Sequence, residues 1–346
     1  MVMQHSFLRE TVVSTRIRLA RNLACFPFPS TMKDKHTAEV LHLVSNAFKE
    51  MRDDKYQCYP IERLSENEKL SYQEGHLVSP VLLKKEKNRA VILSSDKKIA
   101  VMVNEEDHLR EQYICKGFNL QEAYDKLSAL DNRLSGKLDF AYDQTLGYLT
   151  ACPSNLGTGM RASVMVFLPG LTWSGGLKKL LPMLREKHMT LRGAFGEGSS
   201  AEGYLYQLSN EQTLGLSELE ILKRVSEVTM MICDQEVRAR EKMLKTSETE
   251  LRDRCLRAYG TLTNCALLDM EEFCTKIIDV RLGIFLKFFE VSSLEAFDSF
   301  LDDMQPATFC LNNNLEGESE RFYDEVRAEA VGSTLRQLMQ VVRNRN

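Results

Sequence analysis

From Ser217 onward the sequence changes character. LSELEILKRVSEVTMMICDQEVRAREKMLKT is one long helical pattern with a charged C-terminal half, and no clear strand signal follows it. Everything before it mixes strand-like and helical stretches. At 346 residues the chain exceeds the usual size of one hydrophobic core, so two units are expected. The change places their boundary near residue 245, in KTSETE, giving 1–245 and a helical 246–346.

In the first part, Val40, Leu41, Val44, Ala47, Phe48 and Met51 recur at helical spacing over 37–51. AVILSSDKKIAVMVN at 90–104 reads as a hairpin around a polar turn, and it runs into the polar cluster NEEDHLR. After Gly117 the helical period returns through Leu120, Ala123, Tyr124, Leu127, Leu130 and Leu134, with Asn119 as the N-cap. TLGYLTACP, RASVMVFLP at 161–169 and GYLYQLS at 203–209 read as strands, and GGLKKLLPMLREKH as a helix despite Pro182. Strand pairs alternating irregularly with helices predict an α+β fold with an antiparallel sheet flanked by helices, followed by the helical unit.

Composition excludes several classes of function. A chain that is 43% hydrophobic and 27% charged, with 18 Gly and 8 Pro, is that of an ordinary folded protein. Its 49 acidic residues outnumber 45 basic ones, which argues against a general grip on nucleic acid and leaves room only for local basic pockets. No stretch approaches the apolar length of a membrane span, and MVMQHSFLRE lacks the pattern of a signal peptide, so a cytoplasmic protein is expected. Nine cysteines without a CxxC pair or a Cys/His cluster point to reduced thiols, most of them core residues like Cys233, and to no metal site.

Four segments concentrate arginine, carboxylate and glycine. In STRIRLAR, Arg16 and Arg18 would share a face if the segment is extended, and two like charges on one face suit an intervening anion such as a polyphosphate; a basic surface strand is the alternative. In NEEDHLR, Glu105, Glu106 and Asp107 crowd three carboxylates before His108 and Arg110, where one of them could hold a cationic guanidinium or take its proton; an acidic turn would look the same. In TACPSNLGTGMRASVM, a strand through Cys152 meets the small-residue loop SNLGTG and then Arg161, where glycines would let backbone approach a ligand. GxxxxGK[ST] does not occur anywhere, so a Walker-type site is not supported. In LRGAFGEGSSAEG, Arg192 precedes a loop with Glu197 between glycines, which suits either a segment that closes over substrate or an exposed connection.

Together these segments supply arginines for a triphosphate and two carboxylates for a guanidinium. STRIRLARN, VNEEDHLR, CPSNLGTGMRASV and RGAFGEGSSAEG occur in the order and spacing of the phosphagen (guanidino) kinase family, which the chain resembles over roughly residues 12–240. The resemblance implies a glutamine-synthetase-like catalytic fold and in-line transfer of a γ-phosphoryl group from Mg-ATP to a guanidinium nitrogen. Carried over by position, it implies nucleotide contacts from Ser14, Thr15, Arg16, Ile17 and Arg18, from His76 and Arg110, from Arg161, Ala162, Ser163, Val164 and Met165, and from Arg192, Gly193, Ala194, Phe195 and Gly196. It further implies that Glu106 and Glu197 align the guanidinium, that Cys152 gives electrostatic support, and that Mg2+ arrives with the nucleotide.

Only thirteen residues precede Ser14, whereas metabolite-type members carry a helical domain there that helps cover a small substrate. RAYGTLTNCALLDMEEFCTKIIDVRLGIF at 257–285 looks like the C-terminal domain of bacterial protein arginine kinases. That resemblance implies protein substrates, a homodimer, and association with an activator protein and an ATP-dependent protease. Tyr323 stands where those kinases often carry the first arginine of an Arg-Asp-x-x-Arg-Ala segment that binds phosphoarginine, and tyrosine is no phosphate fork. A kinase for a free guanidino metabolite and a non-catalytic adaptor are the competing readings.

Overall fold

The computed structural model describes residues 8–51, 55–84, 87–193 and 202–342. Its centre is an eight-stranded antiparallel sheet in the order β2-β3-β4-β5-β1-β8-β10-β9. In chain order the strands are β1 (Val12–Arg21), β2 (Tyr56–Pro60), β3 (Ala90–Ser94), β4 (Ile99–Val103), β5 (Leu109–Lys116), β6 (Tyr142–Asp143), β7 (Gly147–Tyr148), β8 (Met160–Phe167), β9 (Met189–Gly193) and β10 (Leu205–Asn210), with β6 and β7 a separate small hairpin.

Side chains alternate across a strand. On β1, Ile17 and Leu19 turn to the core face, where Ala162 and Met160 of β8 oppose them. The helices Asp34–Glu50 and Leu120–Ser135 and the start of the long helix Glu218–Asn264 cover that face with Val40, Val44, Leu127, Leu130, Ile221 and Val225. On the other face, the helix Glu66–Glu74 and residues 77–82 pack over β3 and β4 through Tyr72, Leu77 and Leu82 against Val91 and Met102. That helix starts in a reciprocal capping box between Ser65 and Glu68, a signal present in the sequence as SENE.

The long helix opens on a second such box, in which Glu220 N–H donates to Ser217 Oγ and Ser217 N–H to Glu220. It bends at Ser247, whose φ of −147° is not helical. Past the bend, helices Met270–Phe285, Leu294–Asp303, Pro306–Asn312 and Glu320–Leu338 enclose a separate apolar cluster around Phe273, Phe288, Phe297 and Val331. A two-stranded pair, β11 (Phe289–Val291) and β12 (Met339–Val341), lies within this helical part, where no strand was expected.

The C-terminal part rests on the sheet part at named contacts. The Glu74 carboxylate accepts from Ala307 N–H (2.8 Å), Thr308 N–H (2.9 Å) and Thr308 Oγ1 (2.8 Å). The Phe285 and Phe167 rings meet at 4.9 Å, and the Arg281 guanidinium lies 5.1 Å over Phe167. No helix among the described residues is long and apolar enough to cross a membrane.

Several sequence expectations are corrected. Of TLGYLTACP only Gly147–Tyr148 is strand: Leu149 N–H still reaches Ala141 O, but beyond it side chains take up backbone groups, Asn22 donating to Leu149 O and Asp107 accepting from Ala151 N–H. Asn119 occupies the N-cap position but its amide donates to Lys116 O instead of capping the helix. Strands β2, β5 and β9 escaped the sequence reading: β5 carries Arg110, Glu111 and Gln112 in succession, which breaks the alternation, and β2 and β9 are only five residues each. Only Cys233, Cys255 and Cys310 are buried, so most cysteines are not core, and no disulfide joins any of the nine.

Candidate active site

The extended β1 does put Arg16 and Arg18 on one face, opposite Ser163 and Arg161 of β8. Arg110 of β5 lies across from Ala20 on the same face, and Arg192 of β9 faces Gln207, which in turn pairs with Met165. Four strands, the neighbours β5, β1 and β8 and the edge strand β9, thus contribute five arginines to one surface.

Arg16 and Arg18 make no ion pair with a carboxylate among the described residues, and Arg18 Nε is buried without a hydrogen-bond partner. Burial and the charges of Arg110 and Arg161 push the Arg16 guanidinium down to about 10, and burial with Arg16, Arg110 and Arg161 lowers Arg18 well below its ordinary value. Arg161 is lowered by burial and by Arg192 and donates to Ser209 Oγ at 3.1 and 3.3 Å. Uncompensated like charges held together by a sheet are relieved by a multivalent anion.

Thr15, Ile17, Ala162 and Val164 turn their side chains into the core, so within segments 14–18 and 161–165 the arginine face belongs to Ser14, Arg16, Arg18, Arg161, Ser163 and Met165. His76, in the left-handed region at φ 56°, lies at the exposed rim, where partial desolvation and Arg16 lower its pKa. Gln112, on the arginine face, donates to its carbonyl at 2.6 Å.

The β4–β5 turn sorts its three carboxylates. Glu105 is buried and accepts from Ser79 Oγ (2.5 Å), Arg110 Nη1 (2.9 Å) and Glu106 N–H (2.9 Å); against the upward push of burial, Arg110 and Ser79 hold its carboxyl below the ordinary range. Asp107 is buried and accepts from Asn22 Nδ2 (2.6 Å) and Ala151 N–H (2.7 Å). Glu106 alone is exposed. Partial desolvation, Asp107 and Glu105 raise its pKa, with Arg110 and Arg18 opposing. Asn104 enters the turn at φ 62°, a conformation asparagine tolerates, and its amide donates to Thr37 O and Asn88 O.

Asp107 also brings Cys152 to the turn, since its partner Ala151 is the preceding residue. Cys152 is half-buried with Sγ 3.0 Å from Ser154 Oγ. The loop behind it needs its glycines: at Gly159 (φ 64°) a Cβ would lie 2.6 Å from Ala20 O, and at Gly157 (φ 106°) 2.6 Å from Thr213 O. Glu197, Ala194, Phe195 and Gly196 lie outside the described residues; Gly193 closes β9.

Ser79, Asn22 and Asp107 were not among the expected site residues. Asp107 was visible as one of three acids, but nothing in the sequence distinguished it. Among the described residues no group of three or more His, Cys, Asp or Glu side chains could hold a metal ion. In the C-terminal part, Tyr323 OH lies 3.0 Å from Cys310 Sγ, and Arg327 is buried, donating to Leu268 O (2.6 Å) and Asp324 (2.8 Å).

The chain is similar to known proteins in sequence and in structure. The family model for the ATP:guanido phosphotransferase C-terminal catalytic domain matches residues 39–239, and that for the protein-arginine kinase McsB C-terminal domain matches 248–345. A protein-arginine kinase of Clostridium acetobutylicum is 40% identical over 301 residues, covering 86% of this chain and 88% of that protein. One of Moorella thermoacetica is 41% identical over 304 residues, covering 86% of each. Among solved structures, lombricine kinase superposes with a TM-score of 0.61 at 25% identity, covering 66% of each chain. The duplicated taurocyamine kinase of Schistosoma mansoni with bound transition-state-analogue components gives 0.62 at 26%, covering 73% of this chain and 38% of that one.

Proposed function

The chain belongs to the ATP:guanido phosphotransferase family, and from that premise we propose that it transfers the γ-phosphoryl group of ATP to the guanidinium of arginine side chains in proteins. The observation that carries this reading is the arginine face of the sheet next to the β4–β5 turn, whose one exposed carboxylate is Glu106 and whose Asp107 holds Ala151, the residue before Cys152. Phosphoryl transfer needs mainly positioning and charge stabilisation, and the face offers both.

In this reading Arg16, Arg18, Arg110, Arg161 and Arg192 hold the phosphates, and His76 touches the nucleotide from the rim. Glu106 aligns the acceptor guanidinium and takes its proton, helped by a carboxyl pKa raised toward the working pH. Glu197 is the second aligning carboxylate and Cys152 the electrostatic support. Mg2+ enters with the nucleotide and shares the charge on its phosphates.

The acceptor is assigned to proteins on the identity of about 40% to protein-arginine kinases and on the matched C-terminal domain. We propose further that the chain divides at the Ser247 bend into a catalytic unit, 1–245, and a helical unit, 246–346. It would act in the cytoplasm as a homodimer with an activator protein and an ATP-dependent protease. Binding of phosphoarginine near Tyr323 is not part of the proposal, because Arg327 is already engaged by Asp324 and Leu268.

The test is mass spectrometry without acid after incubation of the full chain with Mg-ATP and either an arginine-rich unfolded protein or free arginine. Phosphoarginine on the protein alone supports the reading. Modification of free arginine alone moves the assignment to metabolite kinases, and nucleotide binding without transfer to either, with the activator protein supplied as well as without it, overturns it in favour of an adaptor.

A further inference from the structure

Glu106 and Cys152 sit on separate segments, 104–108 and 149–152, and no sheet hydrogen bond joins these segments. What joins them is a polar knot at the end of β1. Asn22, 1% exposed, spends its whole amide there: Nδ2 donates to Asp107 Oδ1 (2.6 Å) and to Leu149 O (3.0 Å), and Oδ1 accepts from His108 N–H (2.9 Å). Asp107, 2% exposed, accepts through the same Oδ1 from Ala151 N–H (2.7 Å).

The neighbouring positions anchor the knot to rigid structure. Arg21 donates to Thr158 O (2.9 Å) at the far side of the Cys152 loop and is fixed by Asp131 (2.8 Å). Leu23 N–H donates to His108 Nδ1 (2.9 Å). The residues bonded to Asn22 and Asp107 therefore bracket both groups: Asp107 and His108 follow Glu106, while Leu149 and Ala151 precede Cys152.

We infer that Asn22 is a positioning residue for the transfer reaction: through Asp107 it locks the carboxylate of Glu106 and the thiol of Cys152 into one body that presents both to the acceptor guanidinium. The inference rests on the phosphotransferase reading for its chemical consequence, but the geometric lock can be tested separately. Four short hydrogen bonds at a dry site tolerate no shorter side chain without leaving a buried partner unsatisfied. Such a loss loosens the relative placement of two groups that must be held to a fraction of an ångström.

The test is a double-mutant cycle on the full-length chain with Asn22→Ala and Asp107→Asn. Three readouts are taken in each protein: kcat and KM for an unfolded arginine-containing protein at saturating Mg-ATP, the affinity for ADP, and the rate of Cys152 alkylation by iodoacetamide followed by peptide mapping. Asn22→Ala is expected to lower kcat about tenfold or more, to leave ADP affinity within about twofold because the arginine face is untouched, and to change the alkylation rate severalfold. The double variant is expected to be little worse than either single one, since both break the same lock.

Unchanged kcat, a fall in kcat that tracks loss of ADP affinity, or additive effects would overturn the inference. Asn22→Ser, polar but too short to bridge, replaces Asn22→Ala if the latter does not fold, with the same expectations. A wild-type chain that folds and binds ADP but transfers nothing even with the activator protein supplied would overturn the phosphotransferase reading; the alkylation cycle then decides the lock alone, coupled effects supporting it and additive effects overturning it.

Discussion

Arg18 of β1 and Arg161 of β8 are direct cross-strand partners, two guanidinium groups brought side by side on one face of the sheet without a carboxylate ion pair for either among the described residues. Like charges directly opposite one another destabilise a sheet. The arrangement makes sense as a surface completed by an anion. Arg161→Ala should weaken ATP binding by about tenfold to a hundredfold, the range of one charge-assisted hydrogen bond, while modestly raising the stability of the ligand-free protein. Calorimetric titration with ATP and unfolding without it check both; unchanged affinity would remove Arg161 from the phosphate surface.

Glu106 and Glu105 are adjacent, yet the structure gives them opposite circumstances. Glu106→Gln should lower kcat by about a hundredfold or more, the usual scale for a lost general base, with ATP affinity nearly unchanged. Glu105→Gln should instead disturb nucleotide binding, because it releases Arg110 and Ser79. Steady-state kinetics with separate ATP titrations would show the split, and equal loss of ATP affinity in both variants would contradict it.

His108 is buried beside the site, with Nδ1 accepting from Leu23 N–H and Nε2 3.0 Å from Pro27 O, a pattern that fixes the neutral ring. Burial drives its pKa down to about 4, against the Pro27 contact, from an ordinary 6.5. The unfolded chain therefore binds the extra proton between these values, and stability should fall as pH drops from about 6.5 toward about 4, by at most roughly 3 kcal/mol. Denaturant unfolding at pH 7 and pH 5 should show a smaller loss for His108→Gln than for the wild type; equal losses would assign the acid sensitivity elsewhere.

Glu74 ties the two parts of the chain by capping the first turn of helix Pro306–Asn312 with three hydrogen bonds. Glu74→Ala should cost about 1–3 kcal/mol and should raise hydrogen exchange at Ala307 and Thr308 more than in the sheet. Because Glu74 lies two residues before His76, a smaller loss of ATP affinity should accompany it. Exchange that rises equally everywhere would mean global destabilisation instead of a released contact.

Much of this was legible in the sequence. The antiparallel α+β character, the helical turnover at Ser217, the pairing of Arg16 with Arg18 on one face, and the residues bearing guanidinium and carboxylate all follow from periodicity and side-chain chemistry, which are local properties. The strand expected through Cys152 failed because the side chains of Asn22 and Asp107, residues distant along the chain, take the Leu149 carbonyl and the Ala151 N–H. What the sequence by itself determined is therefore which charges the protein carries and on which kind of element. Only the tertiary structure decided their surroundings: Glu105, Glu106 and Asp107 are chemically near-equivalent neighbours, and it is Arg110 of the same segment together with Ser79, Asn22 and Ala151, arriving from other segments, that engage two of them and leave Glu106 facing solvent.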